Sequence, residues 1–269
     1  MKWLQDTFGT SRPIIAMCHL HAFPGDPDYD VRTGMKAIVE AGRADLKALQ
    51  DGGVDAVMFS NEYSRPYMTK VETVTVAAMA RVIGELLPDV RIPFGVNVLW
   101  DARASLDLAV AVGGSFVREI FSGAYASDFG IWNTNCGDTV RHQHAISAQH
   151  VKRLYNIYPE ASAYLAPRSL VEIAKSTVFN TLPDGLCVSG LTAGVETDAS
   201  LLKQVKDALP ETPIFANTGV RVANVEAQLS IADGAVVGTT FKKDGYIWNP
   251  VDVQRVKDFM SAVKAFRDR

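Results

Sequence analysis

The sequence lacks the features that mark secreted, membrane-spanning and disulfide-stabilised proteins. Its three cysteines, Cys18, Cys136 and Cys187, are isolated and odd in number, which argues against a disulfide framework and indicates a reducing compartment. No apolar run reaches about 18 residues, so we expect no membrane-spanning helix. The first residues also lack the apolar segment of a signal peptide. We therefore expect a cytoplasmic protein.

An excess of charge is absent too. The 269 residues include 27 basic and 30 acidic side chains, giving a net charge of −3. Because no basic stripe could neutralise successive phosphates, we expect no nucleic-acid partner. No GxSxG, P-loop or CxxC motif occurs. No lysine lies at a predicted strand end, which argues against Schiff-base chemistry. Lys242, the nearest lysine, is interpreted as a counter-charge for a bound anion.

The sequence does contain a repeated alternation of short apolar runs and amphipathic stretches. The apolar runs predict strands at 13–19, 54–60, 92–99, 115–120, 161–165, 185–189, 213–216 and 234–237. The stretches between and after them predict helices around 33–51, 70–87, 102–112, 138–158, 169–180, 198–209, 222–231 and 250–266. Nearly wholly apolar short strands are typical of a buried parallel sheet.

This pattern predicts an α/β fold, namely a single (β/α)8 TIM barrel over residues 1–269 with a short N-terminal helix over 1–8. The alternative is an open doubly wound sheet. Such a sheet usually carries its glycine-rich turn after the first strand, where this chain has none. The barrel is therefore favoured.

Two glycine turns near the end of the chain predict a phosphate site. In such barrels, the loops after strands seven and eight often hold phosphate, and glycine lets backbone N–H groups approach an anion closely. The glycines could instead serve only tight turns. The predicted phosphate-binding residues are Thr218, Gly219, Gly238, Thr239 and Thr240.

Polar residues at the other strand ends predict a small polar ligand, since these ends face the active site of a barrel. Glu62 and His19 are the candidate catalytic acid or base. Each could instead be structural: Glu62 paired with Arg65, His19 hydrogen-bonded beneath a loop. The predicted substrate-binding residues are Asn61, Asn97, Arg118, Ser189 and Asn217. Tyr164 and Arg168 would lie at the end of the fifth strand.

His19 and His21 form an HxH pair, which is a metal-ligand pattern in some barrels. A metal site would need Glu62 or Glu119 to complete it. We predict no cofactor and do not expect a divalent metal, although the pair leaves that question open.

The longest irregular stretch, 121–138, follows the fourth predicted strand. It contains four aromatic residues, which argues against disorder. Loops of this length are usually functional when ordered. We interpret it as a lid or a contact surface.

Several motifs together resemble those of the BtpA family, and of its SgcQ-like branch most closely. They are PIIAMCHLHAFPGDP (13–27), GGVDAVMFSNE (52–62), PFGVNVLWDA (93–102), FVREIFSGAYASDFGIW (116–132), VSGLTAGVETD (188–198), ANTGVRVANV (216–225) and DGAVVGTTFKKDGYIWNPVD (233–252). The resemblance implies a TIM barrel of the ribulose-phosphate-binding type. The family is named for a factor needed for stable photosystem I, and the SgcQ-like branch is associated with carbohydrate genes and a loose nucleosidase label. No catalytic residue set is implied.

Three functions are compatible with these features. The first is an enzyme, such as a lyase, isomerase or glycosidic-bond hydrolase, that acts on a small phosphorylated sugar or nucleoside-like compound. The second is a non-catalytic assembly or stability factor that docks through the loop after strand four. The third is a ligand-sensing barrel without catalysis. We favour the first because polar strand ends of many types converge on one mouth, and we expect a homo-oligomer.

Overall fold

A closed barrel of eight parallel strands forms the centre of the molecule, in a computed structural model that describes residues 1–190 and 197–269. In chain order each strand lies beside the next, and the last pairs with the first, so that Ala16 has Val57 on one side and Val237 on the other. The strands are β1 (Ile14–His19), β2 (Ala56–Ser60), β3 (Phe94–Asn97), β4 (Phe116–Glu119), β7 (Lys152–Asn156), β9 (Gly185–Val188), β10 (Ile214–Ala216) and β11 (Gly234–Val237). The predicted (β/α)8 architecture is confirmed.

Amphipathic helices surround the barrel. They are α2 (Gly34–Gly52), α3 (Thr73–Leu86), α4 (Ala102–Val112), α5 (Cys136–Ala145), α6 (Leu170–Thr181), α7 (Ala199–Ala208), α8 (Val225–Ile231) and α9 (Val253–Arg267). Asp101 caps α4 by accepting the Ala104 N–H at 3.1 Å, and Asp198 caps α7 by accepting the Ser200 N–H at 2.7 Å. Within the described residues, no helix is long and apolar enough to cross a membrane.

The predicted N-terminal helix is α1 (Lys2–Phe8), and it fills one end of the barrel. Its Leu4 and Phe8 side chains pack in one cluster with inward-facing strand residues that include Phe116 and Phe215. The rings of Phe8 and Phe116 meet edge-on, with centroids 5.5 Å apart. Because apolar side chains fill this end, the polar strand residues are concentrated at the opposite end, where the strands terminate.

The fifth barrel strand lies where the sequence predicted a helix. That prediction placed a helix at 138–158 and a strand at 161–165, whereas α5 ends at Ala145 and β7 pairs with β4 and β9. The prediction was wrong because β7 carries polar residues that find partners far away in the chain. Lys152 Nζ lies 3.0 Å from Asp184 Oδ1, and the Arg153 guanidinium donates to the Leu182 carbonyl at 3.0 Å.

The segment predicted as the fifth strand belongs to a second, antiparallel sheet. In this sheet β5 (Ala124–Ser127) lies between β6 (Gly130–Asn133) and β8 (Ser162–Tyr164). The long stretch after β4 is thus an ordered hairpin. Tyr164 and Arg168 therefore do not terminate a barrel strand, which corrects their predicted position. The exposed Arg168 side chain donates a hydrogen bond to the Tyr164 hydroxyl.

Candidate functional site

A cavity of about 890 Å³ opens where the carboxyl ends of the barrel strands meet. Active sites of TIM-barrel enzymes form at this end. The strand-end residues that line the cavity are His19, Glu62, Arg118, Glu160, Asn217, Thr218, Gly219, Gly238, Thr239 and Thr240. Both predicted catalytic residues and all five predicted phosphate-binding residues are thereby brought together.

Arg118 is the buried cation of this cavity. Only 7% of the residue is exposed. Its Nη1 donates to Asn217 Oδ1 at 2.8 Å, and its Nη2 donates to Asn97 Oδ1 at 2.7 Å. Among the described residues, no carboxylate oxygen lies within 4.0 Å of the guanidinium. The two amides hold the group in place without neutralising it, so its charge is available to an anionic ligand.

A chain of hydrogen bonds links the ends of five neighbouring strands around Arg118. The Ser189 hydroxyl donates to Asn156 Oδ1 at 3.3 Å, and Asn217 Nδ2 donates to Ser189 Oγ at 2.6 Å. Asn217 and Asn97 then accept from Arg118. Such a connected network restricts the rotamers of its members, so the guanidinium has a fixed position before any ligand binds.

Glu62 and His19 lie side by side. His19 Nε2 is 3.8 Å from Glu62 Oε2, and the Tyr67 hydroxyl donates to Glu62 Oε1 at 3.2 Å. Burial lowers the pKa of His19 well below its ordinary value, and Lys242 and Arg118 lower it further. Burial raises the pKa of Glu62, while Arg118 and the Tyr67 hydroxyl oppose this change. A carboxyl group with a raised pKa suits acid/base work, whereas a neutral imidazole is suited to hydrogen bonding.

Glu160 is a cavity residue that the sequence prediction missed. It follows β7, four residues beyond Asn156. Burial raises the pKa of Glu160, and the nearby Arg118 lowers it. Within the described chain, no cationic group lies within 4.0 Å of its carboxylate. The signal was present in the sequence, because a correct fifth strand would have identified Glu160 as a residue of the loop after that strand.

The two glycine turns present unpaired backbone donors to the cavity. Gly219 has φ of +64°, which favours glycine. A Cβ on Gly238 would lie in van der Waals contact with the imidazole, 3.4 Å from His19 Cε1. Across residues 1–190 and 197–269, the N–H groups of Gly219, Gly238 and Thr239 have no acceptor. Neighbouring free N–H groups of this kind can bind an anion.

Two of the three threonine side chains in these turns form hydrogen bonds within the loops. Thr240 Oγ1 donates to the Val220 carbonyl at 2.6 Å, and Thr218 Oγ1 accepts from the Gly190 N–H at 2.5 Å. Both residues still line the cavity. These hydrogen bonds fix the geometry of the two turns.

Aromatic rings form one wall of the cavity. Tyr67, Trp100 and Phe129 line it. The Tyr67 ring meets Phe129 and Trp100 edge-on, with centroids 5.4 and 6.0 Å away. Trp132 packs against Trp100 with centroids 5.2 Å apart, and Trp248 adds further aromatic surface to the cavity. Aromatic surface beside a few polar groups is typical of a small-molecule site.

Three predicted substrate-binding residues, Asn61, Asn97 and Ser189, do not line the cavity. Asn61 is buried, and its Oδ1 accepts the Leu99 N–H at 2.8 Å. Asn97 and Ser189 belong to the hydrogen-bond network around the guanidinium. These three side chains support the lining, and their contact with a ligand stays a prediction.

Lys242 does not face the cavity as a counter-charge, which corrects the earlier interpretation. Its Nζ lies 2.7 Å from Asp45 Oδ2, and the residue is 1% exposed. Asp45 also accepts the Val251 N–H at 2.8 Å. The lysine is therefore neutralised by a carboxylate of α2, and the pair ties the loop after β11 to that helix.

The histidine pair is not arranged as a metal site. His21 is exposed and packs against the ring of Tyr63, with centroids 4.6 Å apart. Glu119 accepts the Ile120 N–H at 2.9 Å, and burial raises its pKa to about 8. In the part of the chain that the structure describes, no three His, Cys, Asp or Glu side chains form a group that could hold a metal ion.

The family model of the BtpA family matches residues 10–265. The chain belongs to the BtpA family. It is 61% identical over 267 residues to the sgc region protein SgcQ of Escherichia coli (strain K12), covering 99% of this chain and 100% of that protein. It is 28% identical to the photosystem I biogenesis protein BtpA of Synechocystis sp., covering 97% of this chain and 91% of that protein. The resemblance read from the sequence motifs is confirmed.

Solved structures share the fold of this family member at low sequence identity. Tryptophan synthase from M. tuberculosis superimposes with a TM-score of 0.58 at 15% identity, covering 98% of this chain and 96% of that one. Phosphoribosyl anthranilate isomerase from Thermus thermophilus gives a TM-score of 0.55 at 10% identity, covering 95% and 100%. At such identities the likeness establishes the barrel and nothing about the reaction.

Proposed function

We propose that this protein is an enzyme that acts by acid/base chemistry on a small phosphorylated or otherwise anionic metabolite bound in the barrel mouth. Arg118 carries the proposal. Burying a guanidinium that has no carboxylate within 4.0 Å in the described chain is costly, and a bound anion would offset that cost. Its position beside Glu62 supports a role in turnover as well as in binding.

The ligand's anionic end is proposed to bind at the two glycine turns. The free N–H groups of Gly219, Gly238 and Thr239 would donate hydrogen bonds to the phosphate oxygens. Thr218 and Thr240 would shape the turns. A phosphate held there would lie close to His19, because a Cβ built on Gly238 would be only 3.4 Å from the imidazole Cε1.

The reactive end of the ligand would then meet Glu62. An ionised Glu62 carboxylate can take a proton from a carbon or oxygen of the substrate, and Arg118 can stabilise the negative charge that develops. Neutral His19 would orient the substrate by a hydrogen bond. These roles fit a lyase, an isomerase or a glycosidic-bond hydrolase.

The substrate class is proposed to be a sugar phosphate or a nucleoside-like compound. The aromatic wall of Tyr67, Trp100 and Phe129 supports a ligand with a ring. A role in carbohydrate metabolism in the cytoplasm, in a homo-oligomer, is part of the same proposal.

An assembly or stability role is the second candidate, suggested by the name of the Synechocystis relative. Ile131 and Leu165 of the antiparallel-sheet region are 58% and 55% exposed and could contact a partner protein. However, Tyr125 and Trp132 of the same hairpin are buried. Because the large rings point inward, we favour the enzyme. If a partner protein binds this surface, Ile131→Ser and Leu165→Ser should weaken the complex with that partner without changing turnover.

The test is a turnover screen of aldose phosphates, ketose phosphates, nucleosides and nucleotides with the purified protein. We expect at least one compound to be converted, with Glu62→Gln losing turnover and retaining binding of that compound. Glu211→Gln, on an exposed carboxylate, is the matched control and should behave like wild type. An active Glu62→Gln protein would refute the assignment of Glu62, and the absence of any turnover would favour the assembly role.

A further inference from the structure

Three charged groups meet in the cavity without forming an ion pair with one another. Arg118, Glu62 and Glu160 all line the same cavity, where burial raises the pKa of both carboxyl groups and Arg118 lowers it. Yet neither carboxylate lies within 4.0 Å of the guanidinium. Long side chains of opposite charge would ordinarily close onto each other. Here the amides of Asn97 and Asn217 hold the guanidinium back.

Other acids packed into the barrel have a hydrogen-bond or ion-pair partner within 3.0 Å. Asp45 is paired with Lys242, and Glu119 accepts a backbone N–H. Asp55 lies 2.6 Å from the guanidinium of Arg267. A buried carboxylate normally needs such a partner. Burial raises the pKa of the half-buried Glu160, while Arg118, its own backbone N–H and the Asn156 side chain lower it. Yet in the described chain no cation lies within 4.0 Å of its carboxylate, and it lines the same cavity as Glu62.

We propose that Glu160 is a second catalytic carboxylate, which exchanges a proton with the ligand in partnership with Glu62. The proposal rests on the function proposed above. The ligand would occupy the space that the guanidinium and the two carboxylates leave open between them. Two carboxyl groups that share one site favour a state in which one is ionised and the other holds a proton.

The proton balance of this pair is simple. The ionised carboxylate takes a proton from the substrate, and the protonated one donates a proton to it, so the substrate's proton count is unchanged. The two carboxyl groups exchange charge states in the step. Proton exchange with water then restores the starting arrangement.

A binding experiment tests whether Glu160 faces the ligand. The affinity for inorganic phosphate is measured by calorimetry at pH 8.5 for wild type, Glu160→Gln, Glu160→Asp and the control Glu211→Gln. Removing a negative charge next to the bound dianion should tighten binding about fivefold in Glu160→Gln. Glu160→Asp and Glu211→Gln keep the cavity charge and should bind as wild type does.

A kinetic experiment with the substrate found in the screen tests the catalytic role. Glu160→Gln and Glu160→Asp should each lower kcat about 100-fold or more, because proton transfer needs the group at the correct distance. Unchanged phosphate affinity in Glu160→Gln, or a kcat close to that of wild type, would overturn this inference and leave the proposed function standing. Failure of the wild-type protein to bind phosphate would instead overturn the proposed function, and this inference with it.

Discussion

The buried ion pair between Lys242 and Asp45 makes a quantitative prediction about how the mouth is held together. The two side chains are 1% and 10% exposed, and their charged atoms are 2.7 Å apart. Replacing Lys242 with Met leaves the Asp45 carboxylate buried without a counter-charge. Loss of one partner of such a pair costs about 3–5 kcal/mol. We expect Lys242→Met to lower the free energy of unfolding by this amount.

A double-mutant cycle separates the pair from other effects. Asp45→Asn retains an oxygen that can accept the Val251 N–H, so the double variant Lys242→Met/Asp45→Asn should recover more than half of the loss. The exposed pair Lys203–Asp207 is the control, and Lys203→Met should cost no more than about 0.5 kcal/mol. Urea unfolding followed by circular dichroism measures the wild type, the two single variants, the double variant and the control. A loss below about 1 kcal/mol in Lys242→Met would refute the reasoning.

Three further predictions concern the barrel and its mouth. Gly95→Ala should prevent stable folding, because the added Cβ would lie 2.4 Å from a phenyl ring. Gly84→Ala, whose Cβ would have no atom within 4 Å, should be tolerated. Expression and thermal unfolding of the two variants test this difference. His19 should stay neutral from pH 6 to 8 in ¹⁵N NMR spectra. Because its pKa in the folded protein lies below that in the unfolded chain, the free energy of unfolding should fall as the pH decreases below about 6.5. His19→Asn should remove this loss. Tyr67→Phe removes a hydrogen-bond donor to Glu62, so the pKa of Glu62 should rise further. The acidic limb of the kcat/KM profile should then move to higher pH. An unmoved limb would exclude Glu62 as the base.

The sequence predicted the barrel because its strands are apolar and its helices amphipathic. The exception is informative. In β7 the polar residues Lys152 and Arg153 find partners near Asp184, some thirty positions later, and a local pattern contains no such information. Residues 162–164 alternate as a strand should, but they pair with the hairpin instead of the barrel.

The candidate site was predicted where residue type and strand position were sufficient. Glu62, His19 and Arg118 all line the cavity. Glu160 was missed because its strand was misassigned. Lys242 was misinterpreted because its partner, Asp45, lies 197 positions earlier in the chain. Pairing over such separations depends on how α2 packs beside the last barrel loop, and only the folded arrangement reveals it.

The central claim is that an anion binds at the two glycine turns in front of Arg118. The most direct measurement is a titration of ¹⁵N-labelled protein with inorganic phosphate, followed through the backbone amide signals. We predict that the signals of Gly219, Gly238 and Thr239 shift together and saturate with one dissociation constant, and that Arg118→Met weakens that constant at least about tenfold. Unmoved signals for these three amides, with shifts scattered over exposed lysines instead, would contradict the account.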